Sequence, residues 1–299
     1  MPRLLLGVST LLLGLITLAG LFPAAFSSFW SEALAQRHIL ASPKTSQHDN
    51  VGVKAESPSI EVLAEYPHDP EAFTQGILVA TLGKDKFFIE STGLNGKSTI
   101  RKVEIATGEV LTKYDLPSTF FGEGVTVGKD GELVMLTWQN KEGFVFDLVE
   151  DANALLFEKK RTFAYSTVTG EGWGIDSDGK HLIVSDGSAT IMFWDAESME
   201  EVRRVEVTYN GNPIKYLNEL EYANGFIYAN VWYQPVIVKI DPTTGLIVTV
   251  FDCSALIDKV GADVQQGAVL NGIAYDGDDD VFYLTGKLWK SVFKVRLVG

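Results

Sequence analysis

Five short segments of this chain begin with carboxylate, amide or hydroxyl side chains or with glycine, and they recur at similar spacing. They cover residues 74–77, 122–125, 171–174, 218–221 and 271–273. The interval from Gly76 to Gly124 is 48 residues, and the interval from Asn218 to Asn271 is 53. Their candidate functional residues are Gln75, Glu123, Glu171, Trp173, Asn218 and Asn271. A carboxylate can transfer protons and amides can stabilise an oxyanion, so these side chains could form a catalytic site.

A second set of side chains follows the next short apolar segment of each repeat. It comprises Trp138, Asp186, Trp232, Lys287 and Trp289. Indoles beside carboxylates and amides give apolar walls with a few polar anchors, which is typical of a small-ligand pocket. Each tryptophan alone could instead seal an interface between two sheets. The set as a whole, next to carboxylates at equivalent repeat positions, favours a pocket.

The repeat itself predicts the architecture that would bring these residues together. Each unit contains a short apolar strand, a turn marked by glycine, aspartate or asparagine, and a second strand. Units of roughly 40–50 residues with about four strands indicate a β-propeller. Five units predict an all-β, five-bladed β-propeller whose first strands line a central channel and start at one mouth. Residues 254–260 are the best candidate for a helix.

The first 35 residues predict an export signal rather than part of the fold. Arg3 precedes an apolar run over residues 4–21, and the sequence at 33–35 has the small residues that a signal peptidase reads. We predict a signal peptide at 1–35 with cleavage before Gln36, a disordered linker at 36–59 and the propeller at 60–299. The protein is then secreted or periplasmic. An uncleaved N-terminal membrane anchor is the alternative, because the run approaches the length of a bilayer span.

The composition argues against several classes of function. The 25 Lys and Arg against 39 Asp and Glu give a formal net charge of −14, which disfavours nucleic acid and anionic lipid as partners. The single cysteine, Cys253, excludes an internal disulfide and a thiolate-rich metal site.

Imidazole ligands for a metal are also scarce. The chain has four histidines, and His38 and His48 precede the predicted propeller, so only His68 and His181 remain within it. His68 is expected to be a turn residue held by neighbouring backbone. The acidic run at 276–280 lacks the spacing of a calcium-binding loop and predicts a hairpin turn. We therefore predict no cofactor and no metal site.

Longer motifs resemble one family. They are YPHDPEAFTQG (66–76), FGEG (121–124), EGWG (171–174), LNELEY (217–222), and LNGIA to TGKLW (270–289). These motifs resemble those of the plant-type glutaminyl-peptide cyclotransferases (glutaminyl cyclases), which also occur in bacteria. The resemblance runs from about residue 60 to the C-terminal strand, in order and without large gaps.

The resemblance implies a metal-independent propeller enzyme that converts the N-terminal glutamine of peptides into pyroglutamate and ammonia. It implies that Glu123 is catalytic and that the substrate is bound by Phe73, Gln75, Trp138, Trp173, Asn218, Trp232 and Lys287. The expected partners are peptides or proteins with N-terminal glutamine. We also expect a monomer that binds neither nucleic acid nor, after signal cleavage, a membrane. Cleavage would make Gln36 the first residue, which could itself become pyroglutamate.

The residue types suit this chemistry independently. A glutamate near indoles is desolvated, which should raise its pKa, and it could pass a proton from the attacking amine to the departing ammonia. Glu171, Glu219 and Glu221 compete for the role, but their expected task is hydrogen bonding to the backbone of neighbouring blades. A non-catalytic periplasmic propeller that binds a peptide or envelope partner stays open as an alternative. A lactonase-type propeller hydrolase is disfavoured by the scarcity of metal ligands.

Overall fold

Five antiparallel four-stranded sheets surround a channel in the computed structural model, which describes residues 23–42, 58–151 and 154–299. This arrangement confirms the predicted five-bladed β-propeller. Blade one contains β2 (Thr74–Leu82), β3 (Asp85–Thr92), β4 (Thr99–Glu104) and β5 (Val110–Asp115). Blade two contains β6 (Gly122–Val127), β7 (Leu133–Thr137), β8 (Glu142–Asp151) and β9 (Ala154–Ala164).

Blades three and four follow the same consecutive order and are joined by a small hairpin. Blade three contains β10 (Ile175–Ser177), β11 (His181–Val184), β12 (Thr190–Asp195) and β13 (Glu201–Glu206). The hairpin is β14 (Thr208–Tyr209) with β15 (Asn212–Pro213). Blade four contains β16 (Leu217–Ala223), β17 (Phe226–Val231), β18 (Val236–Ile240) and β19 (Ile247–Asp252). Asn224 and Gly225 both have positive φ, 52° and 81°, at the tight turn between β16 and β17, as the Asn-Gly signal predicts.

The fifth blade joins the two ends of the propeller. It contains β20 (Leu270–Asp276), β21 (Val281–Gly286) and β22 (Ser291–Val298), and its outer strand is β1 (Ser59–Pro67). The pairing of β1 with β22 runs from Ser59 opposite Val298 to Pro67 opposite Ser291. The ring is therefore closed by main-chain hydrogen bonds between sequence-distant strands. The repeat pattern did not predict this strand exchange.

The first strand of each blade lines the channel, as predicted. These inner strands (β2, β6, β10, β16 and β20) each contact the next, and β20 contacts β2. A Cβ atom on Gly124 would lie 2.7 Å from the backbone nitrogen of Ile175, and one on Gly174 would lie 2.1 Å from the carbonyl oxygen of Asn218. Glycine at these strand starts therefore lets neighbouring inner strands approach each other closely.

The predicted linker differs from the structure at its start. Helix α1 extends from Pro23 to Ala41, so residues 36–41 are helical, while residues 43–57 lie outside the described residues. Most of the predicted signal, residues 1–22, also lies outside them, and its cleavage stays a prediction. Within the described part of the chain, no helix combines the length and apolarity needed to cross a membrane.

The predicted helix at 254–260 is confirmed. It is α2 (Ser254–Val260), and it ends at Gly261, whose φ of 65° is the left-handed conformation common after helices. Two short 3₁₀ turns, Lys129–Gly131 and Val264–Gln266, complete the described elements. The hydrophobic core lies between and within the blades, and α2 packs Leu256 against the closing blade.

Replacement of a core side chain on the closing strand is expected to destabilise the whole ring. Phe293 on β22 is fully buried, so Phe293→Ala should lower the free energy of unfolding by about 3–5 kcal/mol. Val298 is 37% exposed at the end of the same strand, and Val298→Ala should change it by about 0.5 kcal/mol or less. Urea denaturation followed by tryptophan fluorescence measures both. Equal effects would mean that β22 does not hold the ring closed.

Candidate active site

Three buried polar side chains meet where the inner strands begin. The Nε2 atom of Gln75 donates to Oε1 of Glu123 over 3.2 Å, and Nζ of Lys287 donates to Oε1 of Gln75 over 2.6 Å. These bonds join blades one, two and five at one mouth of the channel, as the repeat pattern predicted. Asn218 is buried at the corresponding strand start of blade four.

Half-buried aromatic rings stand above this polar floor. Trp173 meets Trp232 edge to face, with 5.3 Å between ring centroids. Phe121 lies 5.6 Å from Trp138 and 6.1 Å from Phe73. The rings thus form two groups in contact, Phe73 with Phe121 and Trp138, and Trp173 with Trp232, which we call the aromatic wall. Phe121 was not among the predicted site residues, although it directly precedes the glycine-flanked Glu123.

Glu171 orients two of the wall indoles. Its Oε2 atom accepts the indole N–H of Trp138 over 2.8 Å and that of Trp173 over 2.9 Å. Its other oxygen accepts from Nε2 of Gln139 over 3.0 Å. The prediction that Glu171 bonds to neighbouring backbone is therefore wrong. The side-chain partners are indoles because β7 ends beside the start of blade three, which places Trp138 next to Glu171.

Trp173 is also fixed by a close backbone approach. A Cβ atom on Gly187, whose φ is 78°, would lie 2.7 Å from the indole ring of Trp173. The ring can therefore lie flat against this turn only because residue 187 is glycine. In addition, the carbonyl oxygen of Trp173 accepts the backbone N–H of Gly124, the residue that follows Glu123. The segments that carry Trp173 and Glu123 are thus hydrogen-bonded to each other.

Burial gives the two charged groups of the floor unusual proton affinities. It raises the pKa of Glu123 well above its ordinary value; Lys287 opposes this shift, and the negative charge of Glu171 adds to it. Burial also lowers the pKa of Lys287 to about 8, against the attraction of Glu123. The Nζ atom of Lys287 lies 4.7 Å from the ring centroid of Phe73. Such perturbed groups in a buried site are candidates for proton exchange.

Asn218 presents a polar atom with no protein partner. Its Oδ1 atom is buried and accepts no hydrogen bond from the described residues. Its carbonyl oxygen accepts from Oγ of Ser185 over 2.6 Å, and that hydroxyl oxygen in turn accepts from the backbone N–H of Gly174 over 2.8 Å. The main chain of Asn218 is therefore fixed, while the side-chain oxygen is free to accept from a ligand.

Three other candidates from the repeat pattern do not join this group. Asp186 accepts from the backbone N–H groups of Thr169 and Ser188 and so shapes a loop. Trp289 is buried in the core, with its indole N–H on the carbonyl oxygen of Ala268. Asn271 donates to the carbonyl oxygen of Thr74. Their positions at strand ends were predicted, but not the direction of their side chains.

His68 has a role that the sequence did not reveal. Its Nε2 atom lies 2.9 Å from Oε1 of Glu90, and its Nδ1 atom lies 2.8 Å from the carbonyl oxygen of Trp289. Arg101 donates two hydrogen bonds to Oε2 of Glu90. The expected backbone partner is present, but it is the sequence-distant carbonyl of Trp289, and the second partner is a buried carboxylate that was not predicted.

The Glu90 network adjoins the floor of the pocket. Oε1 of Glu90 also accepts from the hydroxyl of Thr74, which precedes Gln75. Burial alone would raise the pKa of Glu90. The nearby charges of His68 and Arg101 outweigh this effect and lower that pKa to about 2. Burial lowers the pKa of His68, but the charge and hydrogen bond of Glu90, together with the carbonyl oxygen of Trp289, leave this pKa raised. Glu90 and Arg101 were missed because a glutamate within an apolar strand gives no signal of its partner.

The remaining competing carboxylates bond to the backbone of the next blade, as predicted. Oε2 of Glu219 accepts from the backbone N–H of Ile273, and Oε1 of Glu221 accepts from that of Tyr275. Across residues 23–42, 58–151 and 154–299, no three histidine, cysteine or carboxylate side chains are grouped so that they could hold a metal ion.

Comparison with known proteins identifies the family. The glutamine cyclotransferase family model matches residues 33–297. Over 239 residues, the chain is 41% identical to glutaminyl-peptide cyclotransferase from Arabidopsis thaliana, covering 80% of this chain and 71% of that protein. The crystal structure of Myxococcus xanthus glutaminyl cyclase aligns with a TM-score of 0.70 and 35% identity, covering 81% of this chain and 97% of the other. With this fold and this buried site, the chain belongs to the glutamine cyclotransferase family.

Proposed function

We propose that this enzyme cyclises the N-terminal glutamine of peptides and proteins to pyroglutamate, with Glu123 as the group that moves the proton and without a metal ion. The observation that carries the proposal is the burial of Glu123 at the start of β6, in hydrogen-bond contact with Gln75, which in turn binds Lys287. Family membership supports the reaction type. The alternative of a non-catalytic binding propeller gains no support from this arrangement.

The reaction forms one C–N bond and breaks another. The α-amine nitrogen of the substrate attacks the carbonyl carbon of its own side-chain amide, and the former amide nitrogen leaves as ammonia. The attacking nitrogen loses a proton and the departing nitrogen gains one, so Glu123 can accept the first and return it to the second. Burial raises the pKa of Glu123, which makes its carboxylate a stronger base than an exposed glutamate and so suits it to accept the proton of the amine.

The tetrahedral intermediate carries a negative oxygen between these two steps. The Nζ group of Lys287 and the Nε2 group of Gln75 are buried donors that can stabilise it. The Oδ1 atom of Asn218 can accept a hydrogen bond from the substrate's α-amine. The walls of Trp138, Trp173 and Trp232 would hold the flexible glutamine side chain in its attacking rotamer, which converts binding energy into proximity.

The enzyme is also proposed to act outside the cytoplasm. The basic residue and apolar run at the N-terminus support export to the periplasm or beyond the cell. Fractionation of cells that express the full chain with a C-terminal tag tests this, and recovery only from the cytoplasm would contradict it.

A matched pair of substitutions distinguishes the role of Glu123 from that of Glu171. Glu123→Gln keeps shape and hydrogen bonding but cannot exchange a proton, so kcat should fall by roughly 10²-fold or more. Glu171→Gln keeps one acceptor oxygen for the indoles, so it should mainly raise KM as the wall loosens. Ammonia release from a Gln-initial peptide measures both. Near-normal kcat in Glu123→Gln, with activity abolished in Glu171→Gln, would assign proton transfer to Glu171.

The value of kcat should fall at both low and high pH, which gives its pH profile an acidic limb and an alkaline limb. At low pH, protonation of Glu123 removes the base, so kcat falls as pH drops through its raised pKa. At high pH, Lys287 loses its charge as pH rises through about 8, and the stabilising cation is lost. Lys287→Arg carries a guanidinium that stays charged, so its residual activity should lack the alkaline limb. The same alkaline limb in both proteins would show that Lys287 is not its origin.

Prolonged dialysis against a strong chelator is expected to leave turnover unchanged. No imidazole or thiol is among the named pocket side chains, and Glu171 already accepts hydrogen bonds from both indoles and from Gln139. Ammonia release before and after dialysis gives the result. A loss of activity that added zinc restores would overturn the metal-independent mechanism.

A further inference from the structure

The second half of α1 packs against blade four through one face. Ala33, Gln36 and Leu40 are only 3%, 6% and 5% exposed, at the spacing of a single helix stripe. Leu40 belongs to the hydrophobic cluster of blades three and four. The residues between them, such as Leu34 and Arg37, are exposed. The helix is therefore docked on the propeller by a defined apolar face.

A buried side-chain amide secures the docked helix. Nε2 of Gln36 donates to the carbonyl oxygen of Lys215 over 2.7 Å, and Oε1 accepts the backbone N–H of Lys215 over 2.8 Å. The amide thus pairs with both main-chain groups of one residue, as a neighbouring strand would. One helical turn earlier, the carbonyl oxygen of Ala33 accepts from Nε2 of Gln234 over 2.8 Å.

These contacts fall on the two segments that carry pocket residues. Lys215 is three residues before Asn218, and Gln234 is two residues after Trp232. The segments are also tied to each other, because the backbone N–H of Trp232 donates to the carbonyl oxygen of Tyr216 over 2.8 Å. α1 therefore holds both segments from outside the pocket.

The residue before this stripe adds an ionic contact. Oε2 of Glu32 accepts from the hydroxyl of Tyr216 over 2.7 Å, and Oε1 lies 3.3 Å from Nζ of Lys215. The hydrogen bond from Tyr216 lowers the pKa of Glu32. Hydrolysis between Ala35 and Gln36 would separate Glu32 and Ala33 from Gln36. It would also create a charged amine at a buried residue, which is unfavourable.

We propose that α1 stays uncut between Ala35 and Gln36 and serves as a positioning element for the Asn218 and Trp232 segments. The apolar sequence at 4–21 then stays joined to the enzyme, as in the anchored alternative. The side-chain amide of Gln36 binds Lys215 and is not itself a substrate. The match to the family model begins at residue 33, within α1, which supports the retention of this part of the helix in the enzyme.

The first experiment locates the N-terminus of the exported protein. The full chain with a C-terminal tag is expressed in a bacterial host, isolated from the cell envelope, and analysed by intact mass and peptide mapping. We expect peptides that span the Ala35–Gln36 bond in active material. A chain that starts at Gln36 or at pyroglutamate, with undiminished kcat/KM, would overturn the proposal.

The second experiment tests the positioning role, and it rests on the proposed cyclase activity. Gln36→Ala removes both hydrogen bonds to Lys215, which should raise KM for a Gln-initial peptide roughly 5- to 10-fold while kcat changes little. Arg37→Ala, on the exposed side of the same turn, is the matched control and should behave like the wild type. Equal KM values in the two variants would refute the positioning role.

The first experiment can fail independently of the proposed function. An inactive wild-type chain would refute the cyclase activity alone, because the mass measurement still shows whether α1 is retained. Gln36→Glu gives a further distinction, because a carboxylate facing the carbonyl oxygen of Lys215 repels it. It should raise KM at least as much as Gln36→Ala, and a smaller effect would also contradict the proposal.

Discussion

The pairing of β1 with β22 is the constraint on which the pocket depends. It joins blade five to blade one, and the hydrogen bond from Lys287 to Gln75 crosses that same seam. The buried group of His68, Glu90 and Arg101 lies there too, with His68 following β1, Glu90 and Arg101 on blade one, and the carbonyl oxygen of Trp289 on blade five. Loss of one member of such a group leaves an uncompensated buried charge, at a cost of about 3–5 kcal/mol. The contacts that close the ring therefore also fix the positions of the floor residues Gln75 and Lys287.

Two glutamates at equivalent repeat positions acquire different chemistry from their surroundings. Glu123 is buried and receives one hydrogen bond of 3.2 Å from a neutral amide, so desolvation dominates and its pKa rises. Both oxygens of Glu171 accept shorter hydrogen bonds, from two indoles and one amide. These hydrogen bonds fix the orientation of the carboxylate and of both indole rings. The first glutamate is suited to proton exchange, and the second to holding the aromatic wall.

The sequence predicted the features that depend on local repetition. The five inner strands, the convergence of their starts and the turn at Asn224–Gly225 all follow from short motifs read in order. The partners of buried charges did not follow, since the bond from His68 to Glu90 and those from the indoles to Glu171 depend on which way side chains turn between adjacent elements. The outer strand of blade five was also missed, because β1 has no neighbouring repeat in the sequence.

The N-terminal helix illustrates a different limit of sequence reasoning. The segment at 33–35 has the small residues of a cleavage site, and the same small side chains let a helix approach a sheet closely. Only the burial of Ala33 and Gln36 against blade four distinguishes the two interpretations. A local motif cannot encode that contact, because Lys215 and Gln234 are 179 and about 200 residues away.

Buried side chains inside the channel fix the inner strands relative to one another. Asn271 donates to the carbonyl oxygen of Thr74, and the backbone N–H of Gly272 donates to Oδ1 of Asn230. Glu219 accepts from the backbone N–H of Ile273, between blades four and five. Thr74 directly precedes Gln75, and Glu219 directly follows Asn218. The bonds that hold neighbouring inner strands together therefore also hold the main chain that carries these two polar groups of the floor.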